Sequence, residues 1–374
     1  MLQGVTLSLR IGIVPVPVPR EVVEALVKVT VSSESEGGPS GFEMDFDLPA
    51  RSPLRTLFLL TGGGSLPMIR VVLVVSINGQ AQSIINGVAT NIETNPGDGG
   101  IGTLVVKGTD LTVLMNLLGK SGTPFAAMPP AVRVNLILSK YLALGVIPLV
   151  VPSILDIVPL PTKKIPQQRC NDYEYIKLLA EEVGHVFYME PSPKPGISIA
   201  YWGPEIRIGQ PQPALTTGMD AMTNVESLSF NFDKKSKRMP IVHFQLPAPK
   251  LPIKVRIPDV TPLNPPLGLI PPLPVKTESL DYTAKLSAPE ALMRGLAFVS
   301  QNSDAVFGEG KLDVARYGRL LKARRLVGVR GAGLPYDGLY YVKSVTHEIE
   351  RGSYKQSFKL ARNAIVSTVR RVPV

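Results

Sequence analysis

Short β-rich runs broken by turn clusters fill the first part of this chain and return at its end, and a segment of different period separates them. Up to about Lys107 the runs are VTLSLRI, EVVEALVKVTV, GFEMDFDL, RTLFLL, MIRVVLVVSI, GQAQSIINGVATNIETN and GIGTLVVKG. Breakers such as SSESEGGPSG, TGGGS (Thr61 to Ser65) and NPGDGG lie between them. β-branched and aromatic residues suit a pleated, half-buried surface, while Gly, Pro and Asn set turns, so the pattern predicts a small antiparallel barrel or sandwich.

The period then changes. Thr109 is placed to cap a helix over LTVLMNLL that ends at Gly119, and PPAVRVNLILSKYLALG keeps apolar residues at helical spacing until Gly145. Asn171 and Glu174 form a capping-box pattern ahead of YEYIKLLAEEVG, with Gly184 at the exit. HVFYMEP and GISIAYWGP follow as a strand pair joined by SPKPG. Tyr201 and Trp202 end the second strand at Gly203 and Pro204, where a residue without an amide hydrogen stops ladder pairing. The sole tryptophan is expected to cover a domain edge or to meet a neighbouring subunit.

NVESLSFNFD and PIVHFQLP read as strands, and from Pro240 to Pro274 the chain then places 11 of its 36 prolines. Proline removes a donor and clashes in helices, so this segment is expected to form neither a helix nor a central strand but an extended arm. Its apolar residues, among them Leu251, Ile253, Ile257, Leu267, Leu269 and Ile270, are too many for comfortable solvation. They are expected to lie against a neighbouring chain or to cover their own. Ser287 and Glu290 form a second capping box, before APEALMRGLAFVSQ. The organisation is thus a β domain at 1–108, an α/β insertion at 109–213, and a second β domain at 214–374 with a proline-rich arm at 240–274.

The net charge of +10 lies wholly in the last 64 residues, which hold 14 Lys and Arg against 4 Asp and Glu. Within them DGLYYVKSVTHEIERGSYKQSFKLARNA reads as a hairpin turning at Glu350 to Ser353. Tyr354, Gln356, Phe358 and Leu360 alternate with Lys355, Ser357 and Lys359, so one face can pack while the other stays basic. Lys343, His347, Lys355, Lys359 and Arg362 are the candidate contacts of that face. The charges are interleaved in strands rather than clustered on a helix, and nucleic acid is the weaker reading of them.

Catalytic and cofactor signatures fail on inspection. Gly119-Lys120-Ser121 lacks the upstream glycine of a phosphate loop, since Leu114 stands there, and Gly62 to Gly64 precede no helix. Three isolated histidines and one cysteine, Cys170, show no metal or triad spacing. No enzyme activity, metal or cofactor is expected. The N-terminus lacks the pattern of a secretory signal. The most membrane-like stretch, Leu142 to Pro161, is interrupted by Pro148, Pro152, Asp156 and Pro159, so no membrane insertion is expected.

Four segments together resemble the hub proteins of contractile phage tails and phage-tail-like injection systems, the late control D family. They are DYEYIKLLAEEVGHVFYMEP, AYWGPEIRIG, RYGRLLKARRLVGVRGAG and the C-terminal hairpin. The resemblance spans the chain from about Gly87 onward. It implies a mainly β fold with two tube-like antiparallel β-barrel domains and an α/β insertion. It also implies a homotrimeric adaptor in the baseplate between a sixfold inner tube and a threefold spike. The partners implied are the spike, inner-tube or tube-initiator proteins and baseplate wedge proteins, with assembly in the cytoplasm. Hubs fused to their spikes continue into a repetitive β-helix, whereas this chain stops at VSTVRRVPV, so the spike is expected on another chain. The rival readings are a basic nucleic-acid-binding protein and, more remotely, a tail-tip cell-wall hydrolase.

Overall fold

In the computed structural model, which describes residues 4–34, 38–49, 58, 69–95, 101–118, 122–154, 158–162, 165–245, 251–257, 265–274, 276–281, 283 and 286–369, the β-rich runs of the two ends join in one sheet. The first region supplies β1 (Val5–Gly12), β2 (Val16–Pro17), α1 (Arg20–Glu24), β3 (Leu26–Glu34), β4 (Gly41–Pro49), β5 (Arg70–Ile77), β6 (Gln80–Asn95) and β7 (Ile101–Asp110). The middle supplies α2 (Thr112–Leu118), α3 (Pro130–Ser139), β8 (Val146–Val150), α4 (Asp172–Val183), β9 (Val186–Pro191) and β10 (Ser198–Gly203). The last region begins with β11 (Gln212–Thr216), β12 (Val225–Phe232), β13 (Arg238–Gln245), β14 (Pro252–Arg256), β15 (Gly268–Ile270) and β16 (Lys276–Ser279). It ends with α5 (Ala288–Gln301), β17 (Val306–Asp313), α6 (Val314–Tyr317), β18 (Leu326–Arg330), β19 (Gly338–Glu350), β20 (Ser353–Arg362) and β21 (Ile365–Ser367).

The main sheet has 13 strands in the order β12-β17-β20-β19-β3-β4-β7-β6-β5-β1-β2, with β18 also paired to β19 and β11 to β18. Its seam is the antiparallel pair β3–β19, from Ser344 opposite Glu34 to Glu350 opposite Lys28. Two β regions are therefore present as expected, but they share one sheet, and no closed barrel occurs among the described residues. Both seam strands alternate apolar and polar residues, and each would otherwise present a row of unpaired N–H and C=O groups. The inner face buries one core drawn from both regions, including Leu9, Val31, Phe42, Met44, Phe46, Val71, Val345, Tyr354 and Phe358.

The α/β unit is a three-stranded sheet, β8-β10-β9, whose core gathers Ile137, Ile176, Leu179, Phe187 and Trp202. It is tied to the main sheet by Asn86, which donates to Ser198 Oγ (2.8 Å), and by Arg70, which donates to the Gly196 carbonyl (2.7 Å). The cap at Asn171 forms, its Oδ1 accepting from Glu174 N–H, and the Ser287–Glu290 box is complete. Thr109 does not cap α2. It remains in β7, and the buried Asp110 carboxylate accepts from Thr112 N–H (3.0 Å) instead. The boundaries read at 108/109 and 213/214 fall near the end of β7 and inside β11. No helix among the described residues is long and apolar enough to cross a membrane.

The proline-rich segment differs from expectation at its start. β13 contains Pro240 and is the central strand of a second small sheet, β14-β13-β16. Proline is tolerated there because its carbonyl still serves, accepting from Ile257 N–H (3.1 Å). β14 begins at Pro252 and is an edge strand. α5 covers this sheet around Val242, Phe244, Ile257 and Ala291. The RTLFLL run apart from Phe58, the Thr61 to Ser65 turn and Gly119 to Ser121 lie outside the described residues.

Candidate functional site

The outer face of the main sheet is polar across seven strands. Cross-strand register sets Asp313 beside Lys355, then Glu348, Thr30, Glu43, Lys107 and Asn91 in one row. A second row runs Ser227, Lys311, Ser357, Thr346 and Ser32, and a third Ser229, Glu309, Lys359, Ser344 and Glu34. All of these residues are exposed or half-buried. Opposite charges meet: Lys311 with Glu348 (2.7 Å), Lys355 with Glu226 (2.7 Å), Lys28 with Glu350 (3.0 Å) and Lys107 with Glu93 (3.6 Å). Lys359 is exposed and has no ion-pair partner among the described residues. The small side chains leave a shallow depression of about 330 Å³ over Ser227, Ser229, Ser344, Thr346 and Ser357. Strand alternation makes this face, since the partners of these residues point into the core. It offers hydrogen-bonding groups of both kinds over a broad surface on which these carboxylates outnumber the lysines, with no net basic field.

Lys343 makes none of these contacts. The register of β19 against β20 shifts between Val342 and Ser344, and since Val342 and Val345 both enter the core, this bulge sets Lys343 outside it, over the Tyr341 ring. There its Nζ meets Glu205 (3.1 Å) and Asp304 (3.3 Å). Arg207 joins the group, donating from Nη2 to Asp304 (2.8 Å) and to Glu205 (2.7 Å), and its guanidinium lies 5.1 Å from the Tyr341 ring centre. Burial alone would raise the Asp304 carboxyl, but the charges of Arg207 and Lys343 outweigh it and hold the group well below the usual carboxylate range. Glu205, Arg207 and Asp304 were not singled out in the sequence. The available signal was the inverted alternation after Pro204, where Ile206 and Ile208 are exposed while Arg207 is buried.

The other basic-hairpin candidates divide. Lys355 and Lys359 lie on the polar face, whereas His347 and Arg362 are buried (6% and 0% exposed) and cannot belong to an open basic surface. His347 shares a 2.7 Å hydrogen bond with Tyr354, and burial pushes its imidazole down to about 4. Arg362 donates to the carbonyls of Asp337 (3.0 Å) and Pro335 (2.7 Å), fixing the loop before β19. Both are candidates for the basic face by sequence, and both instead point inward and make internal contacts.

Trp202 is fully buried in the α/β core, its Nε1 donating to the Ile176 carbonyl (3.3 Å), so it covers no edge. Tyr201 stacks on Tyr188 at 5.0 Å and donates to the Pro204 carbonyl (2.7 Å). A Cβ on Gly203 would come within 2.6 Å of that hydroxyl, which is why glycine stands there. In the arm, Ile257 and Leu267 are buried on their own chain and Ile253 is half-buried, while Leu251, Leu269 and Ile270 are more than half exposed.

No metal-type cluster of His, Cys, Asp and Glu exists among the described residues. Burial pushes His185 down to about 4, and burial followed by the Glu174 charge pushes the Cys170 thiol up, away from the reactive thiolate.

No protein-family model matches this sequence, and no curated protein matches it. Solved structures do match, over the full length. A tail protein from Neisseria meningitidis has a TM-score of 0.64 at 13% identity, covering 96% of this chain and 97% of its own. The 43 kDa tail protein of prophage MuSo2 from Shewanella oneidensis has a TM-score of 0.58 at 14% identity, covering 97% and 99%. An E. coli component of the type VI secretion system, itself similar to the T4 tail proteins gp27 and gp5, has a TM-score of 0.55 at 12% identity, covering 94% of this chain and 75% of its own. The fold is thus that of phage tail proteins and of a type VI secretion component.

Proposed function

We propose that this protein is a structural, non-catalytic component of a contractile tail or phage-tail-like injection system. Within it the chain serves as the baseplate hub, a homotrimer joining the sixfold inner tube to the threefold spike. The observation that carries this reading is the full-length likeness to tail proteins, which takes in the main sheet and the α/β unit alike. Two β regions sharing one sheet give three copies six sheet segments, a means of matching a sixfold ring with a threefold one. The broad polar face suits a surface that lines a channel or abuts ring neighbours. Its paired charges count against the nucleic-acid reading, because phosphate binding requires an excess of unpaired cations. The partners are a spike, tube-initiating proteins and wedge proteins, with assembly in the cytoplasm and residence in the particle.

The test is stoichiometry in the assembled particle. Electron cryomicroscopy of particles made with this chain should show three copies at the axis, at the junction of tube and spike. Six copies, or placement in the tube or sheath, would overturn the hub assignment.

A further inference from the structure

The α/β unit carries a groove that the hub reading leaves unused. It follows the outer side of α4, with a volume of about 550 Å³, between α5 and the segment Ile165 to Arg169. Tyr175, Leu178 and Glu182 line its floor at the spacing of one helical face. Leu178 and Ile165 are 51% and 46% exposed, an apolar rim that no described residue covers. Three cations converge there, Arg133 from α3, Arg169, and Arg294 from α5.

Arg133 is the unusual member. It is 7% exposed, and its Nη1 donates to the Tyr175 hydroxyl (2.8 Å). Its Nε is buried with no acceptor, and no carboxylate of the described residues pairs with it. Of the two lining carboxylates, Glu290 is held in the cap of α5 by Ser287 (2.8 and 2.6 Å) and Glu182 is exposed. Arg207, equally buried, has two carboxylates. A buried guanidinium with one neutral partner is costly to hold, and a carboxylate is the planar, two-oxygen group that fits its fork.

We propose that this groove docks a short apolar segment of another protein, which sets an Asp or Glu carboxylate on Arg133 and rests apolar side chains on Leu178 and Ile165. The assignment stands on the groove alone and holds whether or not the chain is a hub. The test uses the full-length protein, panned against a displayed random peptide library, with recovered peptides measured by fluorescence polarisation. Recovered binders should combine apolar residues with at least one Asp or Glu. Each should weaken about tenfold or more with Arg133→Met, with Leu178→Glu, and when its own acid is changed to the amide. Leu178 is half exposed, so Leu178→Glu keeps the fold and serves even where Arg133→Met does not. Binders without acidic residues, binders indifferent to both variants, or no binders at all would overturn the proposal.

Discussion

Lys343 shows how much one inserted residue changes. In unbroken alternation with Ser344 and Thr346 outward, Lys343 would point into the core beside Val345. With it, the ammonium closes a buried group with Glu205, Arg207 and Asp304 that ties β19 to the end of the α/β unit. Removing one partner leaves charge without compensation, so Asp304→Asn should cost about 3–5 kcal/mol in chemical denaturation. The folded Asp304 is depressed, so its contribution is full above the unfolded value of about 3.9 and is lost as pH falls below it. His347 acts in a higher window. Its folded value of about 4 lies below the unfolded value of about 6.5, so its contribution is present above 6.5 and lost as pH falls from 6.5 towards 4. Urea midpoints should therefore drop between pH 7 and pH 4.5, and His347→Gln should flatten part of that slope. Trp202→Ala should destabilise by about 3–5 kcal/mol, because the indole is fully buried among α4 and β9 residues.

At the scale of elements, the C-terminal hairpin was legible because strand alternation is a local property. Tyr354, Gln356, Phe358 and Leu360 do point inward and Lys355 and Lys359 outward. The first arm carries a bulge between Val342 and Ser344, which no residue type announces. Cross-strand contacts were equally invisible. Gly310 lies opposite Phe358, whose Cζ would come within 2.8 Å of an added Cβ. Gly310→Val is therefore expected to cost about 1–3 kcal/mol through overpacking, read as a lowered melting temperature. The proline-rich segment was judged by its composition, which identifies poor ladder donors but not which edge of a strand needs one. Pro240 keeps its acceptor role, and Ile257 packs against α5, where a Cβ on Gly295 would sit 2.5 Å from its Cγ1. The polar ladder was visible only as separate charged strands.

The whole molecule is held together by the β3–β19 seam and by a core shared between residues as distant as Leu9 and Leu360. Among the described residues both ends contribute to that one core. A fragment of residues 1–110 should expose the edge of β3 and fail to give a soluble, monomeric β protein, as sedimentation and circular dichroism would show. In the full chain the two β regions should melt together, in one calorimetric transition for the main sheet. The period of each segment, its caps at Asn171 and Ser287 and the alternation of Tyr354 to Leu360 follow from neighbours in the sequence, and the sequence alone determined them. The joining of two β regions into one sheet, the burial of His347, Arg362 and Trp202, and the convergence of Glu205, Arg207, Asp304 and Lys343 were decided only by the tertiary structure. Those outcomes depend on which strand edge meets which, and unpaired backbone groups and uncompensated charges find their partners only across long separations in the chain.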